Sequence, residues 1–364
     1  MTAVPAWSRR GSANRAARPV TRRVPPADRN APGSARLSTL DTSLSTLMKR
    51  PGVHPVLLAG SKDPNAKLTV MLIDEYGPAF AAKVATNEIS AAVVRVEGEL
   101  LASLHRAGLG AHAATIPRPV GFVAAGGLPA LVTGALDGRP MSVGYHAWRH
   151  TARPRRVRAD FAGAGEWLAG LHRRTASDVG RVTLLEDSLD RIESRFGPQP
   201  SLRSQLALPV RRLGSQFTPR TAVHGDYWFG NLLTAKGKVV GVVDWEAGQL
   251  AGEPLTDVAR FAVSYSLYLD RHVQPGERIP GHGGLLADVW GAGLIRAVTG
   301  RGWYHDLVID FVASALRRLG ADPSCAHAVL LAGIAEVAAT ADHPEFAKSH
   351  LDLLAGLDLA AVPS

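Results

Sequence analysis

The 364-residue sequence contains a single cysteine, Cys325. A disulfide framework within the chain is excluded, and so is any cysteine-rich metal site. Such usage fits a reducing compartment, and a cytoplasmic location is expected. Cys325 itself reads as a small packing residue. No apolar run reaches the roughly 18 residues that a membrane span needs, so none is expected. The longest candidate, Ala328–Ala341, carries Glu336 and reads as too short. No apolar signal-peptide core stands near the N-terminus. Neither G-x-G-x-x-G nor GxxxxGK[ST] occurs, and no internal repeat is visible.

Net positive charge is also scarce over most of the chain. The formal net charge is +9, but residues 1–50 hold nine Arg and one Lys against two Asp, which leaves +1 for the rest. A nucleic-acid-binding face needs a basic patch on the folded part, so no nucleic-acid partner is expected. Residues 1–45 are rich in Arg, Ala, Pro and Ser and poor in large apolar residues. They read as a disordered tail, with a functional leader as the alternative.

The remainder divides in two. His54–Gly60, Lys67–Glu75 and Ala79–Thr86 read as strands, the last two joined at Tyr76-Gly77-Pro78. Asn87 is a fitting N-cap for a helix reaching Arg106, with Val93, Leu100 and Leu104 on its buried face. Gly121–Ala125 and Leu128–Thr133 read as two more strands. Beyond Leu136 the pattern is helical over Phe161–Thr175, Leu202–Leu213, Leu255–Asp270, Leu285–Val298, Asp306–Leu319, Ala326–Thr340 and Phe346–Leu359. The expected class is α+β, with a β-rich lobe over 46–135, a linker at Thr133–Gly138 and a helical lobe over 136–364.

One segment interrupts the helical pattern: TAVHGDYWFGNLLTAKGKVVGVVDWE. Leu232–Thr234 and Val239–Val243 flank the turn Lys236-Gly237-Lys238. A hairpin there carries Asn231 and Asp244 at its ends and Asp226 on the loop before it. Phosphoryl transfer needs a divalent metal against phosphate charge, and a carboxylate to orient the attacking hydroxyl and accept its proton. Mg²⁺ takes oxygen ligands, which Asn231 and Asp244 supply, while Asp226 supplies the base. The spacing from Asp226 to Asn231 is that of kinase catalytic loops. A single Asp or Asn at a turn is more often a cap than a ligand; here five elements coincide.

The segment resembles the aminoglycoside phosphotransferase and choline kinase family, whose members share a two-lobed protein-kinase-like fold. The motif H-G-D-x-x-x-x-N is present as His224-Gly225-Asp226 through Asn231. The metal-binding pattern stands as Val242-Val243-Asp244-Trp245-Glu246. Gly252-Glu253-Pro254-Leu255-Thr256-Asp257-Val258-Ala259 and Leu168-Ala169-Gly170-Leu171-His172 match two further family patterns. The resemblance implies Asp226 as catalytic base, Asn231 and Asp244 as Mg²⁺ ligands, and His224 as a brace for the loop. Asp257 is expected to brace as well, and Glu246 stands where protein kinases carry glycine.

The same resemblance implies a lysine on the third strand that meets the ATP phosphates and pairs with a helix glutamate. Lys83 is the candidate. Glu97 and Glu99 compete for the partner role, but two residues apart on a helix is about 200°, so only one faces the cleft. Glu97 lies on the apolar stripe and is preferred. Gly60-Ser61, before Lys62 and Asp63, is the only stretch suited to approach phosphates by its backbone. The nucleotide base is expected against Thr133–Ala135. The acceptor is expected to be a small hydroxylated molecule, with Glu246, Glu253, Asp257, Asp270 and Asp288 as acids available to a polycation. Two other readings compete: a nucleotide-binding protein without transfer activity, and a metal-dependent phosphohydrolase. The first wants the loss of Asp226, Asn231, Asp244 or Lys83, and the second wants further His/Asp clusters; neither is seen.

Overall fold

The computed structural model describes residues 54–58 and 67–359. The Arg-rich tail and the Gly60–Asp63 stretch lie outside the described residues. Five strands form one antiparallel sheet in the order β1-β2-β3-β5-β4: β1 His54–Leu58, β2 Leu68–Asp74, β3 Gly77–Val84, β4 Pro119–Ala125 and β5 Leu128–Gly134. Alternation sets its two faces. Val70, Leu72, Ala82, Val84, Val123, Ala125, Ala130 and Val132 make a small core on one side. Lys83, between Ala82 and Val84, therefore points to the other side.

That other side carries helix α1, Glu88–Arg106. Its start is fixed by a reciprocal cap: Asn87 Oδ1 accepts from the Ser90 amide at 2.9 Å, and Ser90 Oγ accepts from the Asn87 amide at 3.1 Å. Val94, Glu97, Leu101 and Leu104 are buried, whereas Glu99 is exposed. Val93, expected on the buried face, is only half-buried, because the helix is rotated slightly toward Val94.

Beyond the linker come β6 Arg139–Pro140, α2 Met141–Tyr145, α3 Pro154–Thr175, β7 Val179–Arg181, α4 Leu184–Phe196 and α5 Pro200–Gly214. Short strands β8 Phe217–Pro219 and β9 Thr221–Val223 follow, then the hairpin β10 Leu232–Ala235 and β11 Lys238–Val242, and β12 Gln249–Gly252. The chain finishes in α6 Leu255–Leu267, α7 Ala292–Thr299, α8 Trp303–Leu319, α9 Ala326–Thr340 and α10 Pro344–Gly356. One large apolar core runs through this region and reaches Ala91, Val94 and Leu101 of α1. The helical and sheet regions thus share packing through α1.

Three expectations are corrected. Leu285–Val298 is helical only from Ala292, since Gly291 takes φ +75° and the chain before it bends. Helix α4 was not expected; Leu185, Leu189 and Ile192 at i, i+4 and i+7 bury its one narrow face. The third concerns the apolar stretch near the C-terminus. Among the described residues, the helical stretch Pro323–Thr340 is long and apolar enough to cross a membrane by composition. Of this stretch 67% is buried, and α9 packs on α4, α6 and α10 as a core helix does.

Candidate active site

Strand β9 delivers the chain to His224-Gly225-Asp226. His224 is fully buried, and burial lowers its imidazole pKa and keeps the ring neutral. Its Nδ1 accepts from the Asp226 amide at 3.2 Å, which assigns the proton to Nε2, and Nε2 donates to the Val243 carbonyl at 2.9 Å. His224 thus ties the loop to the end of β11.

Asp257, in the first turn of α6, holds the same loop from below. Its carboxylate accepts from the His224 amide at 2.7 Å and from the Gly225 amide at 2.8 Å. Burial pushes this carboxyl up to about 7, and the two amides oppose that rise. Replacing Asp257 by Ala leaves two buried amides unpaired, each costing about 1–3 kcal/mol. A lower urea midpoint with an unchanged m-value is the expected result.

Gly225 has φ +79°, and a Cβ there would sit 2.2 Å from the Ala247 carbonyl oxygen. The loop crosses the 244–248 segment so closely that no side chain fits. Gly225→Ala combines left-handed strain of about 1–2 kcal/mol with that clash. Thermal unfolding should show a clear loss of Tm.

Asp226 is half-buried and fully engaged. Its Oδ1 accepts from Arg260 Nε at 2.8 Å and from the same guanidinium's terminal nitrogen at 2.7 Å. Its Oδ2 accepts from Asn231 Nδ2 at 3.2 Å, and Asn231 Nδ2 also reaches the Asp226 carbonyl at 3.0 Å. Asn231 therefore spends its amino group on the loop and keeps its carbonyl oxygen for another partner. Arg260 was not foreseen. It lies 34 residues from Asp226, and the only local sign is its place one turn after Asp257 on α6.

The hairpin is antiparallel, with Leu232 opposite Val242. Lys236 and Gly237 have φ +51° and +75°, the pattern of a two-residue type I′ turn. Asn231 and Asp244 flank its open end, and the Val243 amide donates to the Asn231 carbonyl at 3.0 Å. Asp244 has φ +71°, a conformation that Asp tolerates better than most residues.

Lys83 joins the sheet region to this hairpin. Its ammonium is 2.6 and 2.8 Å from the two Glu97 oxygens and also contacts Asp244 Oδ1. Burial alone would lower the Lys83 pKa, but Glu97 and Asp244 outweigh it and hold the group above its ordinary value. Burial likewise pushes Asp244 up, and Lys83 more than reverses it. Glu97 Oε1 also accepts from the Trp245 amide at 3.0 Å. Glu246 pairs with Lys67, a contact the sequence did not reveal, and its Oε2 stands 3.7 Å from the Lys83 nitrogen.

The linker is held by bonds to its neighbours. The Ala135 amide donates to the Ala79 carbonyl at 3.0 Å and the Gly134 amide to the Arg118 carbonyl at 2.9 Å. The Thr133 hydroxyl turns back to the Ala81 carbonyl at 3.5 Å. The Ala135 amide and the Thr133 hydroxyl are thus taken by neighbouring strands. The linker does border a recess of about 370 Å³, lined by Gly134, Ala135, Leu136, Ile116 and Arg118 among others.

Residues 65–291 match the model of the phosphotransferase enzyme family. The chain belongs to that family. No curated protein matches it in sequence. Among solved structures it is similar to a thermostable mutant of aminoglycoside phosphotransferase APH(4)-Ia in ternary complex with AMP-PNP and hygromycin B. The TM-score is 0.50 at 11% identity, over 88% of this chain and 99% of that one. It is also similar to macrolide 2'-phosphotransferase MphH from Brachybacterium faecium, with TM-score 0.45 and 17% identity over 88% and 98% of the two chains. The phosphotransferase fold is therefore α+β and protein-kinase-like, with the antiparallel sheet first and the helices after it.

Proposed function

We propose that this phosphotransferase moves the γ-phosphoryl group of ATP to a hydroxyl of a small molecule. The observation that carries this reading is the joint placement of Lys83, Glu97 and Asp244 in one contact, with Asp226 and Asn231 on the adjoining loop. Asp226 is the catalytic base. Asn231 and Asp244 are the Mg²⁺ ligands. Lys83, set by Glu97, meets the nucleotide phosphates.

The residues fit a hard cation. Carboxylate oxygens of Glu97, Asp244 and Glu246 lie within 4.8 Å of one another, and all are the oxygen donors that Mg²⁺ takes. Held by Asp244 and Asn231 at the edge of this cluster, Mg²⁺ would offset phosphate charge as it develops. The chain's own residues do the rest. Asp226 orients the acceptor hydroxyl and takes its proton, and Arg260 fixes the plane of that carboxylate. Asn231 ties the loop through its amino group and directs its carbonyl oxygen away from it. Lys83 supplies positive charge that Glu97 keeps in register.

The acceptor side favours a molecule other than a strong polycation. Of the five acids open to such a substrate by sequence, three are taken: Glu246 is paired with Lys67, Glu253 with Arg220, and Asp257 is buried beneath the loop, while Asp270 is half-buried and Asp288 exposed. Next to the Asp226–Arg260 pair stand Trp228 and Tyr268, with ring centroids 6.5 Å apart, and Arg271 lies 5.5 Å over the Tyr268 ring. Half-buried aromatic rings of this kind suit the apolar face of a sugar or a macrocycle. A binding protein without transfer is not favoured, since Lys83, Asp226, Asn231 and Asp244 are all present.

The test is mass spectrometry of acceptor panels incubated with protein, ATP and magnesium. The panel holds macrolides, nucleoside antibiotics, sugars, amino alcohols and aminoglycosides. Gain of one phosphoryl group by a neutral or weakly charged acceptor is expected. Nucleotide binding with no acceptor phosphorylated across all classes would sink the reading.

A further inference from the structure

Outside the candidate active site, two histidines meet nitrogen to nitrogen. His146 caps the end of α2, and His272 lies on the segment after α6. Their Nδ1 and Nε2 atoms are 2.9 Å apart, and the rings stand at 88° to each other. His146 is half-buried and His272 is exposed, so water and solutes reach the pair. The His146 ring lies 6.2 Å from Phe229 of the catalytic loop.

We propose that His146 and His272 form a binding site for a borderline transition-metal ion of the zinc class. Imidazole nitrogen is a common ligand for such ions. A tetrahedral ion with nitrogen ligands at about 2.0–2.1 Å sets those nitrogens roughly 3.3 Å apart. The pair stands at 2.9 Å, so a few tenths of an ångström and an outward tilt of both rings open the site. Solvent exposure on the His272 side leaves room for that tilt and for water as the remaining ligands.

Protonation favours the ion. Burial, with help from the facing ring and from Arg271, pushes His146 down to about 4. Burial and Arg271 also lower His272. Both rings are neutral at physiological pH, as metal ligation requires. The ring that carries the bridging proton moves it to its other nitrogen, so both facing lone pairs become free and no net proton is released. Arg271 opposes a cation by charge, but its guanidinium is placed over the Tyr268 ring. Asp270, two residues before His272, adds negative charge close to Tyr145.

The His305–His327 pair provides an internal contrast. Those rings are 5.7 Å apart, and His305 Nδ1 bonds the Ala297 carbonyl instead.

The probe is Zn²⁺, titrated calorimetrically into the full chain with magnesium in excess to occupy the acidic cluster. One saturable site is expected. His146→Ala and His272→Gln should each weaken it at least about tenfold, the loss that even an outer-shell partner of a metal ligand can cause. His327→Ala and Asp244→Asn should leave it unchanged. Co²⁺ in place of zinc should give visible absorption that both His146→Ala and His272→Gln abolish. Absence of a saturable site overturns the proposal. So does a site weakened in Asp244→Asn and kept in His146→Ala, which would place the ion in the acidic cluster. Circular dichroism of each variant separates loss of ligand from loss of fold. The readout is ion binding, so it stands or falls independently of phosphoryl transfer.

Discussion

Replacing Asp226 by Asn is expected to slow phosphoryl transfer by about 10²–10⁴-fold, the usual worth of a positioned general base, with little change in the KM for ATP. Two physical effects add. The amide cannot take the acceptor's proton. It also cannot satisfy both of its present neighbours. Arg260 donates two bonds to Oδ1 and Asn231 Nδ2 faces Oδ2 at 3.2 Å. If the new carbonyl stays on Arg260, its NH₂ group confronts the NH₂ of Asn231, donor against donor. Asn231 must then turn its side chain over, and its carbonyl oxygen with it. Steady-state kinetics checks the first effect through kcat. A raised magnesium requirement checks the second. Unaltered kcat in this variant would remove Asp226 from the base role.

Much of this site was legible because it is local. The spacing from His224 to Asn231 needs no tertiary knowledge, and the type I′ turn at Lys236-Gly237 brings Asp244 back beside it. Glu97 was separable from Glu99 because a helix has a fixed period and α1 has a fixed start at Asn87. What escaped is carried by the meeting of distant elements. Arg260 is an ordinary helix arginine until α6 packs beneath the loop. Lys67 and Glu246 lie 179 positions apart in sequence, and only the approach of the sheet to the hairpin pairs them. The linker's own bonds escaped for a related reason. Nothing in Thr133-Gly134-Ala135 reveals that Ala79 and Arg118 take the amides. Helix ends proved equally dependent on single glycines, since Gly291 stops what Leu285 and Leu286 would otherwise extend.

Asp244→Asn is expected to lower kcat by about 1,000-fold, the size of loss when several kcal/mol of charge stabilisation is removed from a phosphoryl transition state. Asn is the informative replacement. Asp244 sits at φ +71°, where Ala would add backbone strain of about 1–2 kcal/mol and mix misfolding with chemistry. Asn tolerates that conformation and keeps an oxygen in place, so only the charge is lost. That charge has two partners to serve. One is Lys83, which keeps Glu97 at 2.6 Å and so stays anchored. The other is the magnesium ion proposed above, for which a neutral amide would be a poorer ligand than a carboxylate. The variant should therefore fold with a near-normal Tm, bind ATP, and need far more magnesium for its residual activity. Glu97→Gln should behave differently. It keeps one oxygen for the Trp245 amide but loses the charge and sets an NH₂ group against the Lys83 ammonium inside a buried contact, and it should lower Tm as well as kcat. Full activity of Asp244→Asn at ordinary magnesium would mean that the metal is held elsewhere, and the assignment of this carboxylate would fail.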